Sequence, residues 1–517
     1  MLDFVMVGVY LIVTIGIVYW ASRRDRDTDD FFLGGRRLPW LAVGLSIMAT
    51  LMSSLTYLGL TGEIVKNGIA GFATQLAVIP AAMVVVPLFI PFFMRMRFTS
   101  AYEYLEHRFD YRARLLGGVL FFLLRLGWVS MVMYSGSLAL AKMADWDLYT
   151  VVVVLGVAAT LYTCFGGLKA VVQTDVLQAL MLFGGAAVIV GYVWFATGHG
   201  PAAWWAAVGR HSAGHTRPLW FSFDPTVRMT IGTALLNGFF WQICTHCSDQ
   251  VVLQRYASTP SHAAARNSYV TNIIAAFAIA CLLALSGMAL LFFYLRFPDR
   301  LRPGLTPTSA GEALMPYFFA HQLPMGFGGL ILANFLCDAM QTLVSGVNSI
   351  TAVATQDVLE RVRPERGTDR ERLRTARRLT LVLGGGCTLI ALGVAWMAQS
   401  LGMNIFDLMP RTFNMFLGPL GCLFLIGMFL PRATARSAVP AVLASLGVSV
   451  SWSYCRQLFG TQFDLSIMLA IAVPCCVGFA LAAVLALLLE DGADHPGRNY
   501  TWWSVMGRRA LSSTTSE

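Results

Sequence analysis

The chain has 517 residues, 57% of them hydrophobic and 13% charged, with a mean hydropathy of +0.64. Soluble globular proteins carry roughly 25% charged residues, so the length does not stand for three or four soluble domains but for one polytopic membrane domain with short connections. The net charge of +9 gathers in alternate loops, as basic residues do beside anionic lipid, and does not point to nucleic acid.

A span needs about 20 apolar residues. Runs of that kind fall near 2–21, 38–64, 68–94, 115–142, 147–165, 171–197, 228–252, 267–296, 326–358, 377–400, 405–430, 436–455 and 466–489, thirteen in all. No cleavable signal peptide is expected, because Asp3 replaces a basic leader and the first run is long enough to span. Arg23, Arg24, Arg26, Arg36 and Arg37 follow the first span, Arg95, Arg97, Arg108, Arg112 and Arg114 the third, and eight arginines from Arg361 to Arg378 the ninth. By the positive-inside rule the N-terminus is expected outside the cell membrane and the C-terminus in the cytoplasm. The transmembrane domain covers 1–490 and the tail 491–517, where Trp502 and Trp503 suit the membrane interface.

The second span carries Thr50, Ser53, Ser54 and Thr56 in its middle, followed by Gly59 and Gly62. Small and hydroxylated residues serve close helix packing. They also occur where a spanning helix breaks and its freed carbonyls replace the water shell of a cation. Five spans later, 228–252 is interrupted by Asn237, Gln242, Thr245, His246, Ser248 and Asp249. Two interrupted spans in corresponding positions point to inverted repeats, here about 38–197 and 228–430, with a binding site where they meet. Loops 198–227 and 297–325 have the length for short surface helices. The ten cysteines lie mainly in apolar segments, which does not suit a disulfide framework, and Cys244 and Cys247 read as packing rather than as half of a zinc site.

Tyr162–Gln178, YTCFGGLKAVVQTDVLQ, strongly resembles the signature of the sodium/solute symporter family. FFLGGRRLPW at 31–40, SDQVVLQRY at 248–256, DAMQTLVSGVNS at 338–349 and GPLGCLFLIGMF at 418–429 agree with it in order and spacing. The resemblance spans nearly the whole chain. It implies an all-α LeuT-type fold: two inverted five-helix repeats with one helix before and two after, and broken helices at 38–64 and 228–252. It further implies secondary active symport of a small organic solute with sodium by alternating access, and no enzymatic activity. The hydroxyls beside Ser53 and Thr56 resemble the branch that carries organic anions such as monocarboxylates, iodide and sialic acids. Sugar carriers usually have a carboxylate and a glutamine where this chain has Leu55 and Thr56.

Carried over by motif, the main sodium site takes backbone carbonyls of Ala49, Met52 and Asp338 and side-chain oxygens of Gln341 and Thr342, a set suited to a hard cation. The family usually has Ala in place of Asp338 and Ser in place of Gln341. The Asp338 carboxylate has three readings: it strengthens sodium binding, it carries a proton, or it pairs with Arg125 or His246. Asp175 and Ser345 match a second cation position, and Asp175 alternatively caps the local helix. Ser53, Ser54, Thr56, Gln75, Gln242, Thr245 and His246 are expected around the solute. His246 has a second reading as a satisfied interior histidine, favoured over that of a proton carrier. Arg125, deep in an apolar span, either holds the solute's carboxylate or pairs with Asp338 or Asp175. In sialic-acid carriers the arginine position of this span aligns with Trp128, one turn from Arg125. Proton-coupled symport and uncoupled facilitation remain alternatives; a membrane sensor fits less well, because no regulatory module follows the transport domain.

Overall fold

The computed structural model describes residues 34–96, 98, 100–163, 168–211, 224–324, 326–354, 369–461, 465–490 and 495–512, together with parts of 5–17. Most of the first expected span lies outside these residues. Among them every regular element is helical. α1 (Trp40–Leu51) and α2 (Ser54–Asn67) are the halves of one split helix. They are followed by α3 (Ile69–Met96), α4 (Tyr111–Ala144), α5 (Leu148–Thr163) and α6 (Leu168–Thr197). A second split element, α7 (Ile231–Ser248) with α8 (Gln250–Ala257), is followed by α9 (His262–Arg296), α10 (Phe327–Ala354), α11 (Asp369–Leu401) and α12 (Ile405–Phe429). α13 (Ala435–Ser453) and α14 (Ile467–Leu489) pack against each other and on α12. Each split helix is thus followed by four helices, as expected. Among the described residues seven helices are long and apolar enough to cross a membrane, and eight when α1 and α2 count as one bent span.

The first break sits at Met52 and Ser53, where α1 and α2 bend by 56°. Its cause is local. Ser53 is extended (φ −77°, ψ −176°), which ends one helix and starts the next, and the hydroxyls crowded around it offer the backbone partners other than the ladder.

The second break falls later than the sequence suggests. α7 runs unbroken past Asn237, Gln242 and Thr245, and the chain turns extended only at Asp249. Asp249 is a good place to stop a helix, because its carboxylate accepts the N–H of Val251 at 3.0 Å and so caps α8. The amides of Asn237 and Gln242 point from an intact helix into a cavity instead. Gly238 lets α7 lie directly on the residue-74 region of α3: a Cβ there would come within 2.1 Å of the Thr74 carbonyl oxygen.

α1 is clamped between α6 and α9, while α7 packs on α3 and α12. The two split helices therefore face one another across the centre of the bundle. Short helices Pro201–His211 and Leu314–His321 occupy the two loops where surface helices were expected. The tail forms the helix Trp502–Ser512, anchored where the Trp502 indole N–H donates to the Leu88 carbonyl at 3.0 Å.

Candidate functional site

A helix that stops leaves its last carbonyls without ladder donors. At the end of α1, Met48 O is taken by Met52 N (2.7 Å), whereas Ala49 lies in the last turn, before a residue that has left the helix. Across the break, α10 presents Asp338, Thr342 and Ser345 on one face, all buried. Asp338 Oδ2 accepts the N–H of Ser54 at 2.7 Å. The carboxylate thereby caps α2, a task that the Ser53 side chain, the usual capping group, does not perform. Ser53 Oγ is fully buried and has no hydrogen-bond partner. Ser54 Oγ meets Ser135 Oγ of α4 at 3.0 Å. The predicted residues Ala49, Met52, Asp338 and Thr342 are therefore gathered where α1 breaks beside α10; the side chain of Gln341 lies outside the described residues. An unpartnered hydroxyl, a carboxylate and free helix-end carbonyls form an oxygen-rich donor set that fits sodium.

Asp175 is not a helix cap. Its Oδ2 accepts Ser46 Oγ at 2.5 Å and Arg255 Nη2 at 3.1 Å. Arg255, from α8, also donates to Ser46 Oγ (2.8 Å), Thr50 Oγ1 (2.7 Å) and Ser345 Oγ (3.5 Å). One guanidinium therefore ties α1, α6, α8 and α10 together beneath the first break. The sequence shows Arg255 only as part of the 248–256 motif, with no role assigned. Its position four residues after Val251, on the same face of α8, is the signal that would have found it.

A cavity lies between the split helices, on the α2 side of the break, with a volume of about 120 Å³. Of the expected residues, Thr56, Gln75 and Gln242 line it. Sequence reasoning missed Asn237 as a lining group, and missed Asn272, Asn414 and the indoles of Trp128 and Trp241. Asn414 closes a π turn over Pro410–Asn414, a local underwinding of α12 that brings this amide to the cavity.

Four expectations are corrected. Arg125 pairs with Asp249, and with neither Asp338 nor Asp175. A guanidinium this deeply buried takes a carboxylate, and the cap of α8 is the one within reach. Thr245 lines only the narrow crevice around that ion pair. His246 points away from the cavity: its Nδ1 bonds to the Tyr256 hydroxyl at 2.6 Å and its ring meets Tyr269 edge-on at 4.8 Å. The ring is fully buried, with Nε2 left without a hydrogen-bond partner. Ser53 and Ser54 are buried in the break and do not line the cavity.

At the far end of α2 a second ionic cluster closes over this region. Arg228, in the segment entering α7, donates to Glu63 Oε1 at 2.6 Å and Oε2 at 3.1 Å, and to Asp407 Oδ1 at 3.1 Å. Asn404 adds a 3.4 Å bond to Glu63. The ends of both split helices and of α12 are thus linked by one arginine.

A sequence profile described as the sodium:solute symporter family matches residues 31–445. The sodium/sialic acid symporter SiaT of Proteus mirabilis (strain HI4320) is 28% identical over 466 residues, 89% of this chain and 92% of that protein. The sodium/sialic acid symporter NanT of Aliivibrio fischeri (strain ATCC 700601 / ES114) is 30% identical over 451 residues, 87% of each. Among solved structures, the substrate-bound outward-open state of a Na+-coupled sialic acid symporter superposes with a TM-score of 0.82 at 27% identity, covering 95% of this chain and 98% of that one.

Proposed function

The chain belongs to the sodium:solute symporter family, and from that premise we propose how its own residues carry out sodium-coupled symport of a small organic solute. It is an integral membrane transporter with the LeuT fold and not an enzyme. Sodium binds at the first break, held by the carbonyls of Ala49, Met52 and Asp338 and by the Thr342 hydroxyl, with the Gln341 amide completing the set. The solute binds in the adjacent cavity, against Thr56, Gln75 and Gln242. The observation that carries this reading is the shared element: Met52 bounds the break and also lines the cavity. An ion that fixes the break therefore fixes one wall of the solute site.

The coupling is a free-energy link between two neighbouring sites, typically about 1–3 kcal/mol. Sodium stabilises the arrangement of α1, α2 and α10 in which the cavity is formed, and bound solute shifts the population towards closure. Helices of the two repeats, about 38–197 and 228–430, interlock around this centre, and alternating access opens it first to one side and then to the other. With the N-terminus outside and the tail in the cytoplasm, as the arginine-rich loops favour, the Arg228–Glu63–Asp407 cluster faces outward and the Asp175–Arg255 network inward.

Uptake into proteoliposomes containing the purified chain tests this reading. An inward sodium gradient should drive accumulation above the outside concentration. Equilibration alone would identify a facilitator, and accumulation driven by inward protons without sodium would identify proton coupling.

A further inference from the structure

The cavity has a chemical signature beyond its position. Trp128 Nε1, Gln242 Oε1, Asn272 Oδ1 and Asn414 Oδ1 all belong to residues lining it, and none has a hydrogen-bond partner. Trp128, Asn272 and Asn414 are only 6%, 3% and 7% exposed. A buried polar atom left unpaired is destabilising, so these groups suit a ligand that supplies what they lack. Three are amide ends, which can offer either oxygen or nitrogen by rotation. The fourth is an indole N–H.

Charge is missing from the described lining: no Lys, Arg, His, Asp or Glu borders the cavity. The cations on neighbouring elements are engaged, Arg125 by Asp249, Arg255 by Asp175, Arg228 by Glu63 and Asp407, and Arg411, which does not line the cavity, by the Asp407 carbonyl at 3.0 Å. A carboxylate brought here would lose its water without gaining a counterion, at a cost of several kcal/mol. A hydroxyl or amide would lose its water and regain a bond to each waiting amide. Trp128 and Trp241 lie with ring centres 6.5 Å apart and planes tilted by 33°, and Phe413 meets Trp128 edge-on at 4.9 Å. Together they provide an aromatic wall for the C–H face of a ring.

We propose that the solute seated in this cavity is an uncharged ring bearing several hydroxyl or amide groups, recognised by Trp128, Gln242, Asn272 and Asn414 without an ion pair. This inference rests on the symport reading and adds the substrate class. The organic-anion expectation came from resemblance, whereas the residue aligned with the carboxylate-holding arginine is here an indole, a neutral donor. A site built to hydrogen-bond hydroxyls discriminates strongly against analogues that leave its polar groups unpaired.

The test compares matched pairs on the purified full-length chain in sodium and in potassium: N-acetylmannosamine against N-acetylneuraminate, D-glucose against D-glucuronate, and lactamide against lactate. Sodium-dependent thermal stabilisation is read for each. The neutral member should half-saturate at a concentration at least about tenfold below its carboxylate partner, a difference of about 1.4 kcal/mol, and Trp128→Arg should reverse the order. Tighter binding of the carboxylate members to the unaltered chain would overturn the proposal while leaving symport intact. Should none of the six bind, the chain is equilibrated with a small-molecule cell extract and the sodium-dependent ligand is identified by mass spectrometry. A neutral ligand supports the proposal and an anionic one overturns it. A complete lack of sodium-dependent ligand would instead overturn the symport reading beneath it.

Discussion

Arg255 Nη2 lies 3.1 Å from Asp175 Oδ2, with Ser46 Oγ donating to that same oxygen at 2.5 Å. A carboxylate that the family resemblance assigns to a second sodium ion is thus already neutralised by a cation of the protein itself. A sodium ion at Asp175 must therefore displace or share this guanidinium.

Removing one partner of a buried ion pair strands the other. Asp175→Asn should destabilise the protein by about 3–5 kcal/mol, because the Arg255 charge is left buried without its counterion. Asp175→Asn combined with Arg255→Met should recover most of that stability without recovering uptake. Thermal denaturation of the purified variants, read beside sodium-driven uptake, checks both outcomes. If Asp175→Asn leaves stability unchanged and only weakens sodium dependence, the carboxylate serves the ion and not the arginine.

Asp338 combines two roles that substitution can separate. Asn at this position keeps an oxygen for the Ser54 N–H but removes the negative charge. Asp338→Ala removes both, and loss of a helix cap costs about 0.5–2 kcal/mol. Asp338→Asn should therefore fold normally yet need about tenfold more sodium for half-maximal uptake, equivalent to about 1.4 kcal/mol. Sodium titrations of uptake with Asp338→Asn and Asp338→Ala measure the split. Unchanged sodium affinity in Asp338→Asn would leave the capping bond as the residue's whole contribution.

Arg125 is held by Asp249 at the second break, so its loss should act on structure rather than on solute contact. Arg125→Gln should lower the melting temperature and the maximal uptake rate, with little change in the half-saturating solute concentration. Breaking such a pair costs about 3–5 kcal/mol. A selective loss of solute affinity at unchanged stability would return Arg125 to the solute site.

In the outer cluster Arg228 and Asp407 are half-buried, whereas Glu63 is fully buried. Fully exposed ion pairs are worth roughly 0–1 kcal/mol, but Arg228→Gln strands the buried Glu63 carboxylate and should lower the melting temperature measurably. It should also loosen the link between α2, the entry to α7 and α12, making a cysteine introduced at Thr56 react faster with a water-soluble thiol reagent added from outside. Reaction rates with and without sodium, in a background lacking reactive native cysteines, provide the measurement. An unchanged rate would remove the cluster from gating.

Much of this protein was legible in its residues. Apolar runs near the length of a span marked the helices from α1 to α14, because hydrocarbon forbids exposed backbone and so enforces continuous helices wherever it can. The hydroxyl-rich stretch Thr50–Thr56 marked the first break, because such residues are uncommon in lipid-facing helix and satisfy a freed backbone locally. The motif at 338–349 directed attention to the helix that faces that break. Pairing was beyond reach. Arg125 had three candidate partners and took a fourth, Asp249, 124 residues away in sequence, and Arg255 found Asp175 at a separation of 80. The location of a charge within a span follows from local sequence. Its partner depends on which helices pack together, a global outcome. The cavity's chemistry was hidden for the same reason: Trp128, Gln242, Asn272 and Asn414 come from four different helices. Only their convergence turns four isolated polar residues into one uncharged binding surface.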